Sequence, residues 1–322
     1  MGENPKYEIG KVEVLLAWKC NSNCVFCSVG HKFREGKVKS WEKVKKHIDY
    51  GKEVKSETIS FSGGEPTILN YLEKAVKYAK NLGFKTIEIQ SNGRMFYYKD
   101  FAEKIVNAGA NRFLISLHAD NPETGDALSR YKGSFEQTVQ GIKNLKALGV
   151  ENLRFSTVIT RMNYRDLPRI MEFLLAFDPI GIHVNYVIID GNAYELRDVI
   201  MPPKMSEVAQ YVHEAIKIVK KAGKEIWIYS FPFCLLHGYE FVVADMGSKD
   251  SKLFGPDFVV SLQENRHKHR VKSKSCKACR YDPICLGVWR RYAKIFGLDE
   301  LRPVHGERVT DIGTLYKQDY KF

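Results

Sequence analysis

Seven cysteines carry the first chemical signal in this chain: Cys20, Cys24, Cys27, Cys234, Cys276, Cys279 and Cys285. They fall into CNSNCVFC near the start and CKACRYDPIC near the end, with Cys234 between. An odd count argues against a disulfide framework. Soft thiolates at short spacing suit zinc or iron–sulfur clusters. The first group is spaced C-x3-C-x2-C. Three thiolates can ligate three irons of a four-iron cluster and leave the fourth open to a substrate or cofactor, as a catalytic metal requires. A structural zinc site wants a fourth protein ligand, and His31 is the nearby candidate.

The apolar run VEVLLAW precedes these cysteines and reads as a strand, so the three thiols sit on the loop that follows it. This pattern resembles the signature of the radical S-adenosylmethionine (SAM) superfamily, and the resemblance runs over most of the chain. Its second mark is FSGGEPT, residues 61–67, after the predicted strand ETIS. In that family this motif contacts the amino group of SAM, which implies roles for Gly63, Gly64, Glu65 and Pro66. Glycines let the backbone come close and offer carbonyls to an ammonium, and Glu65 can supply charge.

Later segments keep the family's order. IEIQSNG (87–93) resembles the strand end whose polar residues face SAM, implying Ser91 and Asn92. FLISLHA (113–119) implies Ser116, and DALSRYKGSFEQTVQGIKNL implies Arg130 beside the SAM carboxylate. RFSTVIT (154–160) implies Val158 beside the adenine, as does Phe26 within the cysteine loop. Ordinary strand-end or helix packing is the competing reading for Ser116, Arg130 and Val158. His118 and Asp190 also fall at strand ends and are candidate acid–base groups, although a structural hydrogen bond is the commoner role.

The second cysteine group, Cys276-x2-Cys279-x5-Cys285, resembles part of the auxiliary-cluster motif of SPASM and twitch-type radical SAM proteins. Cys234 would complete four ligands. A full SPASM domain has seven cysteines, so the resemblance implies a shorter twitch-like domain with one second 4Fe-4S cluster, serving electron transfer or structure. A four-cysteine zinc site competes with it.

By resemblance, the cofactors are a 4Fe-4S cluster on Cys20, Cys24 and Cys27, the second cluster, and SAM. The implied chemistry is reductive cleavage of SAM to a 5′-deoxyadenosyl radical that abstracts hydrogen from a substrate. An external one-electron reductant of the ferredoxin or flavodoxin type is the implied partner.

The elements that must position these residues alternate. Strands are predicted near 12–18, 57–61, 85–90, 112–117, 152–159 and 181–188. Amphipathic segments lie between them, such as Leu69 to Leu82, Lys99 to Ala108 and Phe135 to Leu148. Repeated βα units predict a parallel sheet. The expected class is α/β: a partial (βα)6 TIM-like barrel over 1–223, with a smaller C-terminal α+β auxiliary-cluster domain over 224–322. Every candidate motif falls at the C-terminal end of a strand, where such barrels place their chemistry.

The 322 residues carry a net charge of +12. From His31 to Lys46 there are seven basic and two acidic residues, and from Ser261 to Lys294 ten and two. The excess is therefore two local patches, which attract anions or balance anionic clusters. No apolar stretch approaches the ~20 residues of a membrane span. The start, MGENPKYEIGKVEV, lacks the apolar run of a signal peptide, so a cytoplasmic protein is expected. Three functions compete: a radical SAM enzyme acting on a peptide or small metabolite, an RNA-modifying one using the basic loop RHKHRVKSK (266–274), and a non-catalytic iron–sulfur electron carrier.

Overall fold

The computed structural model describes residues 8–33, 35–245 and 249–316. Arg34 of the first basic stretch, residues 1–7 and the outer end of the expected second domain lie outside the described residues.

The architecture follows from alternation along the strands. In β1 (Ile9–Ala17), Val12, Val14 and Leu16 are fully buried on one face, while Lys11, Glu13 and Leu15 take the other. β2 (Thr58–Gly63), β3 (Thr86–Ser91), β4 (Arg112–Ser116), β5 (Leu153–Ile159) and β6 (Gly181–Tyr186) pair in parallel, in chain order. Parallel neighbours need crossover connections. Here these are α1 (Trp41–Glu53), α2 (Leu72–Asn81), α3 (Lys99–Ala108), α4 (Pro122–Ser129) with α5 (Ser134–Ala147), and α6 (Leu167–Leu175); α7 (Met205–Lys221) follows β6. Each helix turns an apolar stripe to the sheet; α2 buries Leu72, Ala75, Val76 and Ala79. These six βα units form the α/β partial barrel that the alternation predicts.

The segment after Gly223 joins the same sheet at both edges. β7 (Glu225–Tyr229) pairs in parallel with β6, and β8 (Asp250–Phe254) pairs in parallel with β1, carrying β9 (Val259–Ser261) antiparallel at the far edge. The sheet is strongly curved. Tyr229 on β7 lies within electrostatic reach of Lys11 on β1 and Glu88 on β3. In a flat sheet β7 and β1 would be about 29 Å apart at ~4.8 Å per strand.

The concave face is charged rather than packed with branched apolar residues, the usual filling of such barrels. Lys11 Nζ lies 3.2 Å from both Glu13 and Glu88, and Arg112 lies 3.8 Å from Glu88. Burial works to raise the Glu88 carboxyl. The Lys11 ammonium, the Ser60 hydroxyl and Arg112 outweigh it and bring it down to about 2.

The basic run 266–274 is not the loop expected. It is the end of α8 (Leu262–His269), a short strand β10 (Arg270–Val271) paired with β11 (Val288–Trp289), and the start of a 3-10 turn. Arg270 is buried and grips both oxygens of Asp245 at 2.8 and 2.9 Å. Arg266 donates to the Asp245 carbonyl at 2.6 Å, and Lys272 to Asp282 at 2.5 Å. In the first basic stretch, Lys39 is buried and donates to the Phe254 carbonyl, while Lys32 and Lys37 flank Asp257 at 3.7 and 3.8 Å. Lys39 and Arg270 are therefore internal, while Lys43, Lys45, Lys46, Lys268, Lys274 and Lys277 remain exposed. Among the described residues, no helix is long and apolar enough to cross a membrane.

Candidate active site and second cysteine cluster

Cys20, Cys24 and Cys27 stand on the loop after β1 and face one cavity of about 480 Å³ at the C-terminal ends of the strands. Phe26, Gly63, Gly64, Glu65, Ser91, Asn92, Ser116 and Val158 line the same cavity. Burial pushes the Cys20 thiol up to about 12, with the Glu65 charge adding to it, and raises Cys24 and Cys27 as well. Three largely desolvated thiols side by side resist ionising together unless cations neutralise them. The Ser22 N–H already points at Cys20 Sγ, at 3.4 Å. Such a donor set fits a cationic metal cluster, whose ligands must be thiolates. His31 is exposed and does not line the cavity, so it adds no fourth ligand.

Backbone contacts hold the cysteine loop from three sides. Asn23 N–H donates to the Ser129 carbonyl at 3.1 Å and Val25 N–H to Leu128 at 2.9 Å. From the other side, Gly64 N–H donates to Ala17 at 2.7 Å and Glu65 N–H to Lys19 at 2.9 Å. A Cβ on Gly64 would sit 2.1 Å from the Lys19 carbonyl oxygen, and one on Gly63, where φ is +125°, would sit 2.5 Å from the Ala17 oxygen. The close approach that these glycines permit is thus to the strand leading into the cysteine loop. The third clamp comes from the loop after β6: Asn192 N–H donates to the Cys27 carbonyl at 2.9 Å.

Glu65 is buried and its carboxylate takes four donors: Thr67 N–H (3.0 Å) and hydroxyl (2.6 Å), Ser91 hydroxyl (2.8 Å) and Asn92 N–H (2.8 Å). Burial raises its carboxyl although these bonds pull the other way. Glu65 therefore ties the β2 turn to the β3 turn. Asn92 continues the network to Asn21 Oδ1 at 2.7 Å. Pro66 opens a 3-10 turn behind Glu65 and does not line the cavity.

Arg130 departs from its expected place. It is exposed at the left-handed C-cap of α4 (φ 54°) and outside the cavity; the backbone of its neighbours Leu128 and Ser129 is what meets the cysteine loop. Arg94 lines the cavity instead, buried, with Nε on Gln137 at 2.7 Å and Nη1 on the Asn21 carbonyl. Its position two residues after Asn92, in the same strand-end turn, was the only sequence signal for it. His118 lines the cavity edge-on to Phe26, with centroids 4.4 Å apart. Burial lowers it to about 3, so it is neutral, and Nδ1 accepts from Val158 N–H at 3.0 Å, which leaves the proton on Nε2. Asp190 lies outside the cavity, paired with Arg291 at 2.9 Å.

Cys234, Cys276, Cys279 and Cys285, separated by up to 51 positions in sequence, line a second, small cavity together. Burial, then the charges of the other three, push the Cys234 thiol up to about 12. Gly287 N–H points at Cys285 Sγ (3.3 Å) and Val304 N–H at Cys279 Sγ (3.4 Å). Among the described residues, no three Cys, His, Asp or Glu side chains converge closely enough to hold a single metal ion.

Residues 17–174 match the family model described as the radical SAM superfamily. A Sulfolobus acidocaldarius protein named probable GTP 3′,8-cyclase is 25% identical over 205 residues, covering 58% of this chain and 64% of its own length. A Methanocaldococcus jannaschii protein of the same name is 27% identical over 232 residues, covering 66% and 75%. The chain thus spans less than two thirds of the Sulfolobus relative. The crystal structure of Streptococcus suis SuiB bound to S-adenosylmethionine superposes with a TM-score of 0.68 at 13% identity, covering 92% of this chain and 76% of that one; the likeness is one of fold.

Proposed function

Through residues 17–174 this chain belongs to the radical SAM superfamily, and on that premise we propose that it cleaves SAM reductively to begin hydrogen abstraction from a small metabolite. The observation that carries the reading is the meeting of Cys20, Cys24 and Cys27 with Gly63–Glu65 and the strand ends of β3, β4 and β5 around one cavity. The relatives named for a GTP cyclase support a small molecule as the class of substrate.

Cys20, Cys24 and Cys27 would hold the cluster, and Gly63, Gly64, Glu65, Ser91, Asn92, Ser116, Val158 and Phe26 would surround SAM. When bound, the pair supplies one-electron cleavage of the sulfonium to a 5′-deoxyadenosyl radical, the electron coming from an external reductant. The chain's own part is position and exclusion of water. Glu65 locks the β2 and β3 turns at a fixed distance. Phe26 and His118 form one wall, and neutral His118 keeps a donor on Nε2 without adding charge.

Cys234, Cys276, Cys279 and Cys285 would hold a second cluster. The support is that four thiols distant in sequence line one small cavity, with zinc as the competing occupant. With four protein ligands it would relay electrons or brace the tail. The RNA reading is weakened at Arg266 and Arg270, which engage Asp245, while Lys268 and Lys274 stay exposed. A bare electron carrier has no use for so large a cavity beside its thiols.

The test is anaerobic reconstitution with iron and sulfide, followed by SAM, a reductant and quantification of 5′-deoxyadenosine. The wild type should form it and Cys24→Ala should not. Cleavage retained in Cys24→Ala would overturn the assignment.

A further inference from the structure

We infer that the cavity selects a substrate that presents a hydrogen-bond donor, an amine or a hydroxyl, to Glu13, and that it excludes the nucleoside triphosphate for which its relatives are named. The inference rests on the proposed function and adds the class of molecule that the site accepts.

Below the level of Gly63 and Ser91, the cavity floor is built from side chains on the inner face of the strands: Glu13, Ser62, Gln90, Ser156 and Asn185. Glu13 is its only carboxylate. One oxygen accepts from the Ser62 hydroxyl at 2.7 Å; the other accepts from the Gln90 amide at 3.1 Å and lies 3.2 Å from Lys11. A carboxylate offers about four acceptor positions, so these three partners leave it one. Its side chain keeps 15% of its exposure, and the cavity is what it faces. A donor arriving there completes the set, and a charged donor completes it most strongly.

The positive charge that a triphosphate needs is missing. Phosphate recognition relies on Arg or Lys, or on a ring of backbone N–H groups. Among the described residues lining the cavity, Arg94 is the only cationic side chain. Its guanidinium is already engaged by Gln137, the Asn21 carbonyl and the Ser22 hydroxyl (3.1 Å), and it stacks on the Tyr131 ring at 3.6 Å. Lys11 lies beneath the floor, between Glu13 and Glu88, and does not line it. A triphosphate would bring several negative charges against Glu13 and Glu65, met by a single cation, Arg94, whose Nε and Nη1 are already hydrogen bonded, which is discrimination by repulsion.

The experiment uses the reconstituted full chain with SAM and reductant, and reads 5′-deoxyadenosine. The probes are GTP and a small-molecule cell extract, split on an anion exchanger into bound and unbound pools. The unbound pool is then passed over a cation exchanger, which retains amines and lets polyols through. The expected result is stimulation by one of the two unbound pools and none by GTP or the anion-bound pool; the pool that acts tells an amine from a polyol. In Glu13→Gln the half-maximal dose of that pool should rise about tenfold or more, the ratio expected of one charge-assisted hydrogen bond. Glu13→Asp, which keeps the charge, should recover part of it. Melting curves of both variants separate this effect from misfolding. Stimulation by GTP or the anion-bound pool, or by no pool, overturns the inference. A protein that forms no 5′-deoxyadenosine under any condition fails the proposed function itself, so the two failures are distinct.

Discussion

The side-chain amide of Asn192 donates to the carbonyl of Cys24 at 2.9 Å, across 168 positions of sequence. The same amide donates to Asn23 Oδ1 at 2.8 Å. The loop after the last barrel strand thus reaches over and holds the loop after the first.

Asn192→Ala removes both side-chain bonds and should lower stability by about 1–3 kcal/mol. In the reconstituted protein, iron should be lost to a chelator faster than in wild type. Gly191→Ala should be worse: φ there is +53°, and a Cβ would sit 2.6 Å from the Ser28 oxygen and 2.7 Å from that of Cys27. Urea titrations and timed chelation check both, and an Asn192→Ala protein as stable as wild type would show that the clamp is idle.

Gly64→Ala places a methyl 2.1 Å from a backbone oxygen, an approach that no rotamer relieves. The β2 turn must then separate from the Cys20 loop. We expect loss of SAM-dependent 5′-deoxyadenosine with most of the helical circular dichroism retained.

Stability should fall on the acid side through Glu88. Its carboxyl drops from an ordinary 4.5 to about 2 in the folded chain, so its contribution is fully present above pH 4.5 and is lost as pH falls through about 2. For a group this buried, the shift corresponds to roughly 3 kcal/mol. Glu88→Gln should lower stability at neutral pH and flatten the acid limb between about pH 5 and 2; urea titrations across that range measure it.

Breaking the pair of Arg270 and Asp245 on one side leaves a buried charge alone. Asp245→Asn should cost about 3–5 kcal/mol, while Lys268→Ala and Lys274→Ala, on exposed positions, should shift the melting curve little.

Cys234→Ala should reduce iron to about half of the wild-type content, if each cysteine group holds one four-iron cluster. Formation of 5′-deoxyadenosine should persist. Iron and sulfide analysis beside zinc analysis distinguishes the second cluster from a zinc site, which would retain no sulfide.

The sequence alone determined the local chemistry. Cys20, Cys24 and Cys27 lie on one loop, so their spacing limits how they can converge, and Gly63–Pro66 declares itself for the same reason. The strands were legible because alternation in runs such as KVEVLL separates a helix-facing from an inward-facing side. Tertiary structure decided what depends on distant partners. Nothing near Asn192 announces Cys24, and nothing near Arg270 announces Asp245, twenty-five positions away. A count of basic residues therefore cannot separate Arg270 and Lys39, which are buried and partnered, from Lys43, Lys268 and Lys274, which are exposed. Arg130 and Arg94 differ in where a turn aims the chain, which packing alone fixes. Strands β7 and β8 joined the barrel sheet because an unpaired strand edge takes whatever partner the fold brings alongside. Short-range geometry is written in neighbouring residues; charge pairing, edge pairing and the polarity of the barrel floor are set only when the sheet curves and brings distant residues face to face.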